Sequence, residues 1–304
     1  MRIQRRFSIA ASVAALAVGL AACGGGGGSS SEVKVNENAQ FPANSKMAKL
    51  QKAGSIKVGI KYDQPLFGQR TLEGGFKGFD VRIAKLVAAQ LGIKPDNVKF
   101  VETVSENREP FLQQQKVDMV VATYTINEER DKKVDFAGPY YVAGQDIMVK
   151  KGNPLGIKGP KDLVGHKVCS VRGSTPAKNI RENYPEVAKT LKLFDTYSKC
   201  ANLLQNGQVD AVTTDNVILS GFVYENQKKF ELIGNPFTKE PYGIGVHQTK
   251  DKTFCKWVNK TLTKLYKNGT WAEAYKATVG KVSKKVPKPP KTGSCSEPGA
   301  EQYN

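Results

Sequence analysis

Thr123, Thr125 and Arg130 are the residues whose types and spacing best suit the capture of a small charged molecule. They lie in Ala122-Thr-Tyr-Thr-Ile-Asn-Glu-Glu-Arg130, directly after the apolar run Met119-Val-Val-Ala122. A short β-branched run of this kind reads as a strand buried on both faces. Side chains alternate along a strand, so Thr123 and Thr125 are expected on one side of its end. Asn127 precedes Glu128 and Glu129, acids suited to a first helical turn, which makes Asn127 the expected N-cap and sets Arg130 within that turn. A guanidinium offers two parallel N–H donors matched to a carboxylate, and nearby hydroxyls and backbone N–H groups satisfy the remaining lone pairs. The chemistry is that of a carboxylate clamp. An isolated arginine would merely pair with an acid on a solvated face, so the elements around it decide the reading.

Those elements alternate. Strand-like runs at 56–60, 98–101 and 119–122 are separated by amphipathic helical patterns at 80–91 and 105–115, a βαβα order that favours a mostly parallel sheet covered on both faces. The helix at 80–91 carries Val81, Ala84, Lys85, Ala88 and Leu91 at helical spacing, with Ile83, Leu86 and Val87 widening the apolar stripe, and is read as structural, with no chemistry. A second set follows Lys151-Gly-Asn-Pro154: strands at 167–171, 191–194 and 211–214, with helices at 177–183 and 198–206. Residues 142–150 and 241–246 read as two extended crossings between lobes, and two crossings permit a hinge. Beyond them come an amphipathic helix at 252–267, another from Gly269-Thr270, and a Lys- and Pro-rich irregular tail from about residue 284. The resulting boundaries are 46–145 with 242–304 for lobe 1 and 146–241 for lobe 2.

The N-terminus reads as a processed segment. Arg2, Arg5 and Arg6 precede an apolar stretch and then Leu20-Ala-Ala-Cys23, which gives a secretory signal at 1–22, too short for a comfortable membrane span. Gly24 to Gly28 and Ser29 to Ser31 follow Cys23, so residues 23–45 read as a flexible tether. The formal charge of +18 falls to +15 without those three arginines. Basic and acidic residues are interspersed through the body, and no nucleic-acid-binding signature is present, so the charge is read as a solvated surface. Cys169, Cys200, Cys255 and Cys295 are an even number in an exported chain and permit three pairings. The expected pairs are Cys169–Cys200 and Cys255–Cys295, each closing a loop with a chain-entropy value of roughly 3–4 kcal/mol. Their spacing has no metal-ligand pattern, and no cofactor is expected.

Several segments together resemble the extracellular solute-binding proteins of the polar amino-acid family of ABC importers, and most closely actinobacterial glutamate-binding lipoproteins. They are Val58-Gly-Ile-Lys-Tyr-Asp-Gln-Pro65, Gly78-Phe-Asp-Val-Arg-Ile-Ala84, Asn107-Arg108, the stretch from Thr123 to Tyr141, Val168-Cys-Ser-Val-Arg-Gly-Ser-Thr-Pro176, Ala211-Val-Thr-Thr-Asp215 and Tyr242-Gly-Ile-Gly245. The resemblance covers about residues 50 to 280 and departs at Arg82, where the family's helix usually has an acid. It implies a type II periplasmic-binding-protein-like α/β fold: two lobes, each a mixed sheet flanked by helices, joined by a two-stranded hinge and closing on one amino acid. Leu-Ala-Ala-Cys23 is similar to a bacterial lipobox, which implies a lipidated Cys23, an anchor on the outer face of the cell membrane and a monomer that docks on a membrane permease.

Carried over residue by residue, Arg130 and Thr125 hold the ligand α-carboxylate, aided by Thr123 and by Thr175 at a helix start. Asp215 takes the α-ammonium, although it also stands where it could cap the helix beginning Asn216-Val-Ile-Leu219. A zwitterion needs a cation and an anion set opposite each other, and two sheet ends facing across a cleft can supply them. Lys61, Arg108 and Arg172, all at strand or helix ends, add cations that favour a second carboxylate on the ligand, hence L-glutamate or L-aspartate. Tyr62, Gln64, Phe67 and Tyr140 are expected as a wall against its methylenes. Two alternatives are a neutral polar ligand such as glutamine or asparagine, and an exported dehydratase on this fold. An enzyme needs a tuned general acid or base in the cleft; the one cleft acid is committed to an ammonium, so a binding protein rather than an enzyme is expected.

Overall fold

The computed structural model describes residues 33–283 and 285–295. The expected signal, Cys23 and the last residues of the tail lie outside these. Two five-stranded sheets organise the chain. In spatial order the first holds Val98–Glu102, Ile56–Ile60, Met119–Val120, Glu240–Val246 and Asp135–Ala143. Its first three strands are mutually parallel, and the last two run antiparallel. The second sheet repeats the pattern with Leu191–Phe194, Val168–Val171, Ala211–Asp215, Gln145–Lys150 and Phe230–Leu232. Each is therefore a mixed sheet built from βα units and finished by antiparallel strands, as expected for this fold class.

The chain passes from the first sheet to the second through Gly144, between Asp135–Ala143 and Gln145–Lys150. It returns on Glu240–Val246, whose residue Glu240 lies opposite Ala143. The two crossings thus run side by side, and Gly144 is packed so tightly that a Cβ there would stand 2.5 Å from the Thr238 carbonyl oxygen. Every residue of Glu240–Val246 is buried.

Helix Phe79–Gln90 buries nearly its whole circumference, including Phe79, Asp80, Ile83, Val87 and Ala88, so it is a core element rather than a surface helix with one stripe. It lies in a core with Trp271 and Tyr275 of helix Thr270–Ala277 and with Tyr141 and Tyr242 of the crossing strands. Disulfides join Cys169 to Cys200 and Cys255 to Cys295. The first ties strand Val168–Val171 to helix Tyr197–Gln205, and the second fastens the C-terminal segment to helix Thr253–Lys267. Unforeseen elements are helix Lys46–Ala53 and a small antiparallel sheet of Asp63–Gln64, Gly68–Arg70 and Phe76–Lys77. Their strands of two or three residues are too short to carry a legible period.

Candidate functional site

The strand expected at 119–122 ends at Val120, although the Val121 N–H still bonds the Gly59 carbonyl at 2.9 Å. Thr123 then adopts a left-handed backbone with φ of 43°, a costly conformation for a β-branched residue. Asp80, at the start of the buried helix, holds it there: Oδ2 accepts from the Thr123 N–H at 3.0 Å, and Oδ1 accepts from the Tyr140 hydroxyl at 2.7 Å. Burial pushes the Asp80 carboxyl up to about 7 against the opposing effect of those two bonds. The helix read as purely structural thus sets the backbone of the site. The bend also ends the simple alternation. The Thr123 hydroxyl donates to Gln64 Oε1 at 3.0 Å, whereas Thr125 Oγ1 turns to Glu240 Oε2 at 2.7 Å.

Asn127 caps the short helix Glu128–Asp131 as expected, its side chain accepting from the Arg130 N–H at 3.0 Å. This aims the buried Arg130 guanidinium inward. Nη1 donates to the Thr125 carbonyl at 2.7 Å, Nη2 to the Gly173 carbonyl at 2.9 Å, and Nε lies 3.2 Å from Glu109 Oε1. Arg108, from helix Arg108–Gln113, lies beside it. Its Nη1 donates to the Ala122 and Thr123 carbonyls, each at 3.3 Å, and its Nη2 to the Gly173 carbonyl at 3.2 Å. The Tyr124 ring lies under both guanidiniums, 4.4 Å from the Arg108 carbon and 5.2 Å from that of Arg130, where the ring face favours a cation. Lys61 completes the group: it is 3% exposed and its Nζ donates to Ser105 Oγ at 2.8 Å. Burial first, then the nearby Arg108 charge, lowers the Lys61 ammonium to about 7. Burial and Arg130 lower the Arg108 guanidinium to about 10.

The second sheet contributes Asp215, the last residue of strand Ala211–Asp215. It occupies the N-cap position of helix Asn216–Glu225 but makes no side-chain capping bond. Instead Oδ2 accepts from the Tyr242 hydroxyl, while the buried Oδ1 has no hydrogen-bond partner among the described residues. Burial, and then repulsion from Glu240, raise its carboxyl well above the usual range. Thr175, opening helix Thr175–Asn183, donates to Glu240 Oε2 at 2.7 Å and lies 3.3 Å from Thr125 Oγ1.

The structure therefore gathers Lys61, Gln64, Arg108, Thr123, Thr125, Arg130, Thr175 and Asp215, eight of the ten expected ligand residues, through linked bonds and mutual charge effects. Two differ. Arg172 is exposed and pairs with Asp195 at 2.8 Å; Val171 is buried and the next side chain faces out, while the Arg172 N–H continues the sheet by bonding the Phe194 carbonyl at 2.9 Å. Tyr140 is fully buried in the aromatic core with its hydroxyl committed to Asp80, so it backs the site instead of lining it. Of the other expected wall residues, Phe67 packs among Phe79, Tyr141 and Tyr242, and Tyr62 donates to the Phe100 carbonyl.

Contributors that were not anticipated are Asp80, Ser105, Glu109, Tyr124, Gly173, Glu240 and Tyr242. Gly173, with φ of 68°, brings its carbonyl to both arginines; a Cβ there would stand 2.9 Å from the Glu106 backbone nitrogen. The signal available for Asp80 was an acid inside an otherwise apolar helical segment, since such acids are rarely buried without a job.

A cavity of about 710 Å³ opens beside this group, lined by residues including Ser105, Glu109, Arg130, Gly173, Thr175 and Lys178. Side chains from both halves meet across it in the Lys178–Glu129 pair at 2.9 Å, and elsewhere the Asp63 carboxylate accepts from the Ser198 N–H at 3.0 Å. Among the described residues no cluster of three or more His, Cys, Asp or Glu could hold a metal, and no helix is long and apolar enough to cross a membrane. Buried cations thus lie near a buried acid that keeps an unpaired oxygen and feels the charges of Arg108 and Arg130.

The comparisons with known proteins agree with this architecture. Residues 56–281 match the family model of bacterial extracellular solute-binding proteins, family 3. The chain is 39% identical over 276 residues to the ABC transporter glutamine-binding protein GlnH of Bacillus subtilis (strain 168), covering 90% of this chain and 97% of that protein. It is 35% identical over 297 residues to the glutamate-binding protein GluB of Corynebacterium efficiens, covering 94% of each. Among solved structures, the solute receptor for L-cysteine of Neisseria gonorrhoeae superposes with a TM-score of 0.74 at 31% identity, over 82% of this chain and 99% of that one. The chain belongs to the bacterial extracellular solute-binding proteins, family 3.

Proposed function

We propose that the protein captures an acidic amino acid, L-glutamate or L-aspartate, between its two halves and hands it to the permease of an ABC importer. The observation that carries this reading is the gathering of three buried cations, Lys61, Arg108 and Arg130, near Asp215, whose Oδ1 is unpaired among the described residues and whose carboxyl feels the charges of both arginines. Arg130 and Thr125 take the α-carboxylate, Asp215 takes the α-ammonium, and Lys61 with Arg108 meets a second carboxylate on the ligand side chain. A neutral side chain would leave that second pair of cations buried without a counter-charge, which is costly. The halves 46–145 with 242–304 and 146–241 move as two bodies about the paired crossings. Ligand contacts to both bodies supply the differential affinity that favours closure. The protein is tethered to the outer face of the membrane through a lipid on Cys23, and acts as a monomer.

Glutamine is the second reading. It is favoured by the Lys61 ammonium lying near 7, which leaves that group partly neutral at physiological pH, and by the likeness to a protein named as glutamine-binding. Calorimetric titration with glutamate, aspartate, glutamine and asparagine separates the two. Glutamate or aspartate is expected to bind tightest and to raise the melting temperature most. A clear preference for an amide overturns the acidic assignment, and no heat from any of the four overturns amino-acid capture. Loss of membrane retention in Cys23→Ser tests the tether; unchanged retention refutes it.

A further inference from the structure

Each side chain assigned above to the ligand α-carboxylate already bonds an acceptor of the protein itself. The Arg130 fork meets the Thr125 and Gly173 carbonyls and Glu109. The hydroxyls of Thr125 and Thr175 both reach one oxygen, Glu240 Oε2, each at 2.7 Å. Thr125 stands beside the first sheet and Thr175 beside the second, so this single carboxylate joins the two halves from the crossing strand between them. Its other oxygen accepts from Thr238 Oγ1 at 2.8 Å, and Glu240 is 4% exposed. Among the described residues no lysine, arginine or histidine forms a salt bridge with Glu240. It is a buried carboxylate held by three hydroxyls at the place where a ligand carboxylate is expected.

We infer that Glu240 is an internal substitute for the ligand carboxylate, closing the cleft on the protein's own threonines and competing with the ligand for them. Two consequences follow. The self-closed form cannot admit ligand, so apparent affinity is reduced by the fraction of molecules that occupy it. A ligand carboxylate arriving at Thr125 must also take a hydroxyl from Glu240 and sit beside a like charge, which the Arg130 cation offsets. Glu240 thereby sets a threshold that any ligand α-carboxylate must overcome to win the exchange. This inference rests on the reading that Thr125 and Thr175 receive a ligand carboxylate.

The test uses the full chain carrying one dye on each half, with Glu240→Gln as the near-isosteric variant and Glu240→Ala as the deletion. Without added ligand, both variants are expected to shift the inter-dye distance towards a more open distribution. Glu240→Gln is expected to bind L-glutamate, and L-glutamine if that is the preferred ligand, several-fold to about tenfold tighter, mainly through faster association. In a Thr175→Val background, Glu240→Gln should open the cleft no further, because the Glu240 link to the second half is already cut while the bonds of Arg108 and Arg130 to the Gly173 carbonyl are unchanged. An unchanged distance distribution in both variants without ligand, or weaker ligand binding by a folded Glu240→Gln, overturns the inference. Because closure is measured without ligand, that result is independent of which amino acid, if any, the wild-type protein captures.

Discussion

The two sides of the cleft solve the burial of charge in different ways. On the first-sheet side, Lys61, Arg108 and Arg130 form a redundant cationic group whose donors are spread over carbonyls, Ser105, Glu109 and the face of Tyr124. On the second-sheet side a single carboxylate, Asp215, retains an unpaired buried oxygen and is repelled by Glu240. The donors of the first-sheet side are already largely engaged within the protein. The other side is left energetically unresolved, which is what a group awaiting a cation should be.

This contrast predicts unequal tolerance to mutation. Asp215→Ala removes the sole assigned partner of the ligand ammonium, and is expected to weaken binding the most, on the order of a thousandfold or more. Arg130→Ala is expected to cost about 2–5 kcal/mol, roughly 30- to several-thousand-fold, with Arg108 cushioning the loss. Isothermal titration of both variants checks the order. Wild-type affinity in Arg130→Ala would remove the clamp, and a milder loss in Asp215→Ala than in Arg130→Ala would reverse the proposed division between a redundant side and a single-residue side.

How far the site was legible in the sequence follows the same division. The clamp was readable because it is one contiguous segment: Asn127 caps, Glu128 and Glu129 fill the first turn, and Arg130 is placed by the cap itself. The alternating strands and helices also showed which segments would form sheets, because buried parallel strands are short apolar runs bounded by helices. Glu240 was not readable. Its partners Thr125 and Thr175 stand 115 and 65 residues away, and nothing local to Glu240-Pro-Tyr-Gly announces them. The left-handed Thr123 was hidden for the same reason, since it is Asp80, 43 residues distant, that holds it. Strand ends are ambiguous in another way. A shift of one residue exchanges the two faces, and Arg172 stands one position beyond the buried Val171.

The Lys61 ammonium sharpens the comparison through pH. In the absence of ligand its charge is present below about 7 and is lost as pH rises through that value. A ligand bringing a second carboxylate restores the charge by drawing a proton onto Lys61, so its binding becomes weaker as pH rises above about 7, approaching tenfold per pH unit. Any proton released by Asp215 on meeting the α-ammonium affects every α-amino acid alike. The ratio of glutamate to glutamine affinity therefore isolates Lys61, and is expected to fall between about pH 7 and 9. Lys61→Met should flatten that ratio and shift preference towards glutamine by roughly tenfold or more. A ratio that stays level or rises over the same range in the wild-type protein would detach Lys61 from ligand selectivity.

The smallest effect is expected where sequence and structure part company. Arg172 follows a strand of the second sheet and carries the same charge as Arg108 and Arg130, yet it is paired with Asp195 in solvent, with 43% and 70% of the two side chains exposed. Exposed pairs of this kind contribute about 0.2–1 kcal/mol to stability and are screened by salt. Arg172→Ala should accordingly alter affinity for glutamate by less than about twofold and lower the melting temperature by no more than a few degrees. If titration of Arg172→Ala instead shows a loss comparable to that of Lys61→Met, Arg172 must swing into the cleft when the ligand arrives. The second side would then contribute a cation as well as Asp215, and the division between a cationic and an anionic half would have to be withdrawn.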